Sequence, residues 1–337
     1  MAILTNNVAL VTGAGRGIGR AIAISLAQHG ARVALVDNGS SIDGSGSNPD
    51  LVGITAGEIA AQGGSAMSLT GDVTSGVEVE NLVSQVEKEW DGIDMVVNAA
   101  GNMHLGTIRS TPDDVWDSLI NVHLRGTMMV TRAVVGSLLR RGSPGRIVNF
   151  TSLAGTAGLP NEIAYATCKA GVIGLTKALA NELFHAGITA NAISPGYSTR
   201  MAFRGSPAHY QRLTHSDTAT TLAETSSSDQ LSRPELDPAN IGPLIVYLGS
   251  DAAASVTGRV FGANGRRYSR LSEMVAERSV ISPGGWTVED LAEIFPSTLG
   301  EGLHQPEYWL ESLDVVSDTE VSAERVEREY VDVGRTR

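Results

Sequence analysis

The chain has 337 residues and a formal net charge of −12 at pH 7. That length holds one large α/β domain with additions, or two domains, and the acidity argues against nucleic acid or anionic membrane as main partner, because phosphate-binding surfaces need concentrated positive charge. A single cysteine, Cys168, excludes an intramolecular disulfide and a cysteine-held zinc, so a reducing cytoplasm and no metal are expected.

The N-terminus lacks the basic start and apolar run of a signal peptide, and no stretch reaches the ~18 apolar residues of a membrane span, so a soluble protein is expected. The opening alternates in the βαβ manner: an apolar run at 8–11, a glycine-rich turn, a helical pattern at 18–29 and a second apolar run at 33–36. The turn T-G-A-G-R-G-I-G fits G-x-x-x-G-x-G on Gly13, Gly17 and Gly19, whereas a G-x-G-x-x-G frame fails at Ile18 or Arg20. Between strand and helix, such glycines let backbone approach a pyrophosphate, and the helix N-terminus offers unpaired N–H groups to it. A tight turn with helix–sheet contact is the plainer reading of the glycines alone. Asp37 ends the second run, where a carboxylate can accept from an adenosine ribose diol and would repel a 2′-phosphate. NAD is therefore preferred to NADP, although Arg16 could offset the charge, and a turn-forming role ahead of Asn38 and Gly39 is the other reading of Asp37.

Residues 38–49 form a Gly/Ser-rich insertion expected to be a flexible surface loop. Strands are then expected at 66–69, 95–97, 146–150 and 189–193, with helical patterns that include 77–90 and 115–141. This alternation predicts an α/β fold, a doubly wound parallel sheet of Rossmann type with helices on both faces. Within it, Tyr165 and Lys169 are four apart and share a helix face, placing an ammonium beside a phenol. A free phenol titrates near pH 10, about three units too high for neutral proton transfer, and a fixed cation is one way to lower it. Only three of the 25 basic residues are lysine, so Lys169 is not a casual choice, although two ordinary helix-surface residues would share the spacing. Cys168 between them is assigned no role.

Beyond residue 196 the pattern loosens. Residues 197–236 are taken as a substrate-shaping loop region, mobile around 214–232, followed by a helix at 238–249 and one last strand at 258–261. Residues 266–337 carry 15 acidic and 8 basic side chains; the stretch from Trp286 to Trp309, with Phe295 and Tyr308, is expected to pack on something, and the last ~20 residues to be frayed.

Taken together, T-G-A-G-R-G-I-G, N-A-A-G at 98–101, Asn121 in N-V-H-L-R-G, Ser152, Y-A-T-C-K at 165–169 and S-P-G at 194–196 resemble the short-chain dehydrogenase/reductase family over residues 7–264. The resemblance implies that Tyr165 is the catalytic acid/base, Ser152 the hydroxyl that polarises the substrate oxygen, Lys169 the cation that lowers the tyrosine and binds the nicotinamide ribose, and Asn121 the support of a water-linked proton path from a local break in its helix. Gly13, Arg16, Gly17, Ile18, Gly19, Asp37, Asp72, Val73, Asn98, Ala99, Gly101, Tyr165, Lys169, Pro195, Gly196 and Thr199 match its cofactor-binding positions. Asn98 could instead fasten neighbouring strands, Asp72 could cap a helix and Ser152 could be a turn residue.

The sequence departs from the family in N-A-A-G, in V-F-G-A-N-G at 260–265 and in the 70-odd residues that follow. With the insertion after Asp37, these features resemble the branch of (3R)-hydroxyacyl-CoA dehydrogenase domains of peroxisomal multifunctional enzymes. Residues 201–236 lack a lysine for CoA phosphates, and Arg204, Arg212 and Arg233 could serve instead. The expected activity is NAD-dependent interconversion of a secondary alcohol and a ketone, with a 3-hydroxyacyl thioester, a steroid or a terpenoid alcohol as compatible substrates. A catalytically silent NAD-binding regulator or scaffold, or a dehydratase or epimerase on the same fold, is the rival. Residues 1–265 are taken as the catalytic unit and 266–337 as an extension packing on it or on a neighbouring subunit. The resemblance also implies a homodimer or homotetramer pairing through residues 112–141 and 165–185.

Overall fold

The computed structural model describes residues 2–197, 199 and 234–303. Its centre is an eight-stranded sheet in the order β3-β2-β1-β4-β5-β6-β7-β8. The strands are β1 (Val8–Thr12), β2 (Arg32–Asp37), β3 (Ser65–Thr70), β4 (Met95–Asn98), β5 (Gly145–Phe150), β6 (Ile188–Gly196), β7 (Val260–Asn264) and β8 (Arg267–Arg270). Every pairing is parallel except β7 with β8. The strand expected to be last is therefore extended to 260–264 and followed by an antiparallel edge strand. The run R-Y-S-R is polar and mostly exposed, so no apolar period marked it.

Alternate residues of the central strands enter different cores, as a sheet covered on both faces requires. Ala9, Val11, Val33 and Leu35 join Ile22 and Leu26 of α1 (Gly17–Gln28) and Ile245 and Leu248 of α8 (Gly242–Gly249). Val8, Leu10, Ala34 and Val36 join Val83 and Val86 of α3 (Gly76–Trp90), Val134 and Leu138 of α5 (Thr127–Arg141), and Ala180 and Leu183 of α7 (Ile163–Leu183). Among the described residues the remaining α-helices are α2 (Asp50–Ala61), α4 (Asp113–Ile120), α6 (Leu153–Ala157) and α9 (Val288–Ile294). Strand order reverses between β1 and β4, and ligands of open α/β sheets sit in the crevice outside the carboxyl ends of strands at such a point.

The helical pattern at 115–141 is divided: α4 and α5 are joined by a π-helical turn, Asn121–Gly126. The insertion at 38–49 is mostly exposed but tied down, because the Met103 amide donates to the Ile42 carbonyl at 2.8 Å. Trp286 and Phe295, expected to pack, are 43 % and 40 % exposed. Residues 198 and 200–233 of the substrate-shaping region, Arg204, Arg212 and Arg233 included, and the extension from residue 304, Tyr308 and Trp309 included, lie outside the described residues.

A buried polar ladder fastens the site-bearing strands. Asn98 Nδ2 donates to Thr131 Oγ1 and Asn149 Oδ1 at 2.9 Å each, and Asn149 Nδ2 donates to Thr176 Oγ1 at 3.0 Å, which joins β4, β5, α5 and α7. Asn149→Ala removes two of these bonds. It should lower unfolding stability by about 1–3 kcal/mol, read as a lower urea midpoint at unchanged slope.

Candidate active site

The crevice is a cavity of about 470 Å³ reaching from Asp37 to Tyr165 and Lys169. At one end the chain leaves β1 through the glycine turn. Gly13 sits at φ +67°, and a Cβ there would stand 2.8 Å from the Ala99 carbonyl oxygen; a Cβ at Gly19 would stand 2.2 Å from the Gly13 oxygen. No larger residue fits either position. Arg16 is the N-cap of α1 without a side-chain cap bond, which leaves the first-turn amides to a ligand. Thr12 Oγ1 accepts from the Ala99 and Ala100 amides at 3.1 Å each and fixes the N-A-A-G loop against the turn.

Asp37 lines the cavity with both oxygens engaged: Oδ2 accepts from the Gly15 amide at 2.9 Å and Oδ1 from the Gly39 amide at 2.7 Å. The bond to Gly39 is the turn-forming role expected of this residue, and the carboxylate also borders the cavity. Five insertion residues, Asn38, Ser40, Ser41, Ile42 and Gly44, also line the cavity, so the insertion is part of the site rather than a detached loop.

At the other end, α7 brings Tyr165 and Lys169 to the carboxyl end of β5. Thr151 Oγ1 donates to the Lys169 carbonyl at 2.8 Å, and Lys169 Nζ donates to the Phe150 carbonyl at 2.8 Å. Nζ lies 5.5 Å from the Tyr165 ring centroid. Ser152 caps α6 by accepting from the Ala154 amide at 3.2 Å and is also a hydrogen-bond partner of the Tyr165 side chain. Asn121 opens the π-helical turn and lines the cavity, so the local helix break implied for it is present.

Burial governs the electrostatics. Lys169 is pushed down to about 8 by burial. The Tyr165 phenol is pushed above its ordinary value by burial, with Cys168 and Glu162 adding to the rise and the Ser152 hydrogen bond opposing it. Burial therefore sets the direction of the Tyr165 shift, with Lys169 Nζ committed to the Phe150 carbonyl. Cys168 is raised to about 11 by burial, in keeping with a packing role. Glu162, the N-cap residue of α7, is raised to about 7 by burial.

Of the expected cofactor positions, Gly13, Arg16, Gly17, Ile18, Gly19, Asp37, Asp72, Val73, Ala99, Gly101, Tyr165, Lys169, Pro195 and Thr199 line the cavity. Asn98 and Gly196 do not. Asn98 is drawn into the strand-fastening ladder, and Gly196 packs on β7, where a Cβ would stand 2.7 Å from Asn264 Oδ1. Asp72 shapes its own turn, Oδ1 accepting from the Thr74 amide at 2.8 Å, while the cap of α3 is Ser75. Two ionisable residues beside Tyr165 went unassigned in the sequence. Glu162 had no signal. His123 stood inside N-V-H-L-R-G, but nothing in the spacing said that its ring would meet the phenol.

A family model described as enoyl-(acyl carrier protein) reductase matches residues 13–265. The chain is 33 % identical over 267 residues to the 3-oxoacyl-(acyl-carrier-protein) reductase FabG of Staphylococcus epidermidis, covering 78 % of this chain and 99 % of that protein. It is 34 % identical over 264 residues to the short-chain dehydrogenase/reductase eriH of Hericium erinaceus, covering 78 % and 98 %. Among solved structures, a short chain dehydrogenase from Mycobacterium avium matches with a TM-score of 0.72 at 30 % identity, covering 90 % of this chain and 97 % of that one.

The Glu162 carboxyl has a measurable signature. Its neutral form is favoured by the fold, so stability falls as pH rises from 4.5 to about 7 and the loss is complete above that. Glu162→Gln should therefore be more stable than the parent by about 1–3 kcal/mol at pH 8, with the difference closing towards pH 4.5 in urea denaturation across that range.

Proposed function

The chain belongs to the short-chain dehydrogenase/reductase family, and from that premise we propose that it interconverts a secondary alcohol and a ketone with NAD, Tyr165 serving as acid/base. The observation that carries this reading is the placement of Tyr165 and Lys169 at one end of a cavity whose other end is the glycine turn, with Ser152 beside the Tyr165 side chain. The family binds a nicotinamide cofactor, and the residues present fit one: Gly13 and Gly19 leave room for backbone to approach phosphates, and the open first turn of α1 supplies N–H donors. When bound, that cofactor supplies or accepts the hydride.

The protein's own groups manage the oxygen and its proton. In oxidation Tyr165 takes the alcohol proton, and in reduction it returns a proton to the oxygen. Ser152 donates a hydrogen bond to the same oxygen as negative charge develops there. Lys169, poised at about 8, can exchange a proton close to neutral pH, which supports its place beside Asn121 in a relay to solvent. A silent scaffold would be expected to lose Ser152, Tyr165 or Lys169, and all three stand together.

Asp37 supports NAD over NADP, because a carboxylate lining the cavity repels a 2′-phosphate. For the substrate we favour a 3-oxoacyl or 3-hydroxyacyl thioester over a steroid or terpenoid alcohol. The name of the Staphylococcus relative supports this choice, and the resemblance to (3R)-hydroxyacyl-CoA dehydrogenase domains agrees with it. A cytoplasmic homodimer or homotetramer is the assembly proposed. The extension from residue 266 is tied at its start to the catalytic unit by Glu273, which pairs with Lys177 and Arg259. Beyond that its described residues are largely exposed, which supports contact with a neighbouring subunit.

Tyr165→Phe should reduce turnover of 3-oxoacyl-CoA by about 10²–10⁴-fold with NADH affinity near that of the parent. Retained turnover would overturn the assignment. In the same assay the parent should use NADH in preference to NADPH by kcat/KM, and Asp37→Ala should erode that preference.

A further inference from the structure

His123 stands on the π-helical turn and is 1 % exposed. Its imidazole is held from two sides. On one, Nε2 lies 2.7 Å from the Asn102 carbonyl oxygen and 3.2 Å from the Asn102 amide nitrogen, so either tautomer bonds the Asn102 backbone, and the proton on Nε2 makes the shorter of the two contacts. A Cβ at Gly101 would stand 2.5 Å from the imidazole Cε1, so the ring fills the space that a side chain there would take. On the other side the Tyr165 ring meets it with 5.1 Å between centroids and 88° between planes, a T-shaped contact in the attractive range. Nδ1 is left buried without a hydrogen-bond partner. A phenylalanine would fill the same space with no orphaned atom, so what the histidine adds is the bond to the loop that carries Gly101 and Asn102. That loop lines the cofactor cavity and is anchored through Thr12.

We propose that His123 is a positioning residue for Tyr165: wedged between the cofactor-lining loop and the phenol, it sets the ring's place by the loop's place and keeps water from that side. The inference rests on Tyr165 being the acid/base. The imidazole stays neutral throughout, because burial and then the Lys169 ammonium hold it well below 6.5. Among the described residues, the ionisable groups facing the phenol are Glu162 at the N-cap of its helix, Cys168 and Lys169 on that helix, and His123 across from it.

The test compares steady-state kinetics and pH profiles of the full chain with NAD and a 3-hydroxyacyl-CoA. His123→Ala should lower kcat by about 10–100-fold with the KM for NAD within about twofold, and admitted water should move the limb that reports Tyr165 to lower pH, since burial is what raises it. Adding Gly101→Ala to that variant should restore part of kcat, because the new methyl enters the vacated space, whereas Gly101→Ala alone should lower it by displacing the imidazole. His123→Phe keeps the volume and should still lose kcat through the missing bond to Asn102, so it carries the comparison if the alanine variant does not fold. Parent-like kcat and an unmoved limb in the His123 variants, with Tyr165→Phe inactive, would overturn this inference alone. Turnover in Tyr165→Phe would overturn the reading beneath it.

Discussion

Two hydrogen bonds hold the helix of Tyr165 to the strand end that carries Ser152, and the arrangement of the site depends on them. Thr151 Oγ1 donates to the Lys169 carbonyl and Lys169 Nζ to the Phe150 carbonyl, so one residue of α7 is gripped at its backbone and at the tip of its side chain. The close approach is possible because α6 lies directly on α7, where a Cβ at Gly155 would come within 2.6 Å of the Lys169 carbonyl carbon. With α7 fixed in this way, Tyr165 meets the Ser152 hydroxyl and the His123 ring, and the cavity from the glycine turn ends on Tyr165, Lys169 and His123.

The same burial that makes the clamp firm sets the protonation of the site. His123 and Glu162 are biased to their neutral forms, Lys169 loses much of its basicity and the Tyr165 phenol becomes harder to ionise. The Ser152 hydrogen bond works against the last of these. A site with so little solvent strengthens any interaction with charge that develops during reaction, since low dielectric screens it weakly.

Much of the fold was legible because its signals are local. Short apolar runs separated by helical periods mark buried parallel strands: strands 8–12 and 32–37 fall on runs of four, and strands 95–98 and 145–150 on shorter ones. The glycine turn was legible for the same reason, as Gly13 and Gly19 answer to contacts that only glycine allows. The π-helical turn was not, because α4, the turn and α5 share one continuous helical pattern and differ only in how their backbone bonds are closed. The edge strand β8 lacked any apolar alternation.

By itself the sequence determined the doubly wound class, and through residue type, short spacing and a family resemblance it singled out the glycine turn, Ser152, Tyr165 and Lys169. Only the tertiary structure decided what surrounds them: that Asn98 serves the sheet, that the insertion after Asp37 lines the cavity, that His123 meets Tyr165 and that the Lys169 ammonium is anchored on a backbone carbonyl. These are contacts between segments far apart in the chain, and their energetic weight comes from burial, which no stretch of sequence displays before the sheet has brought its strand ends together.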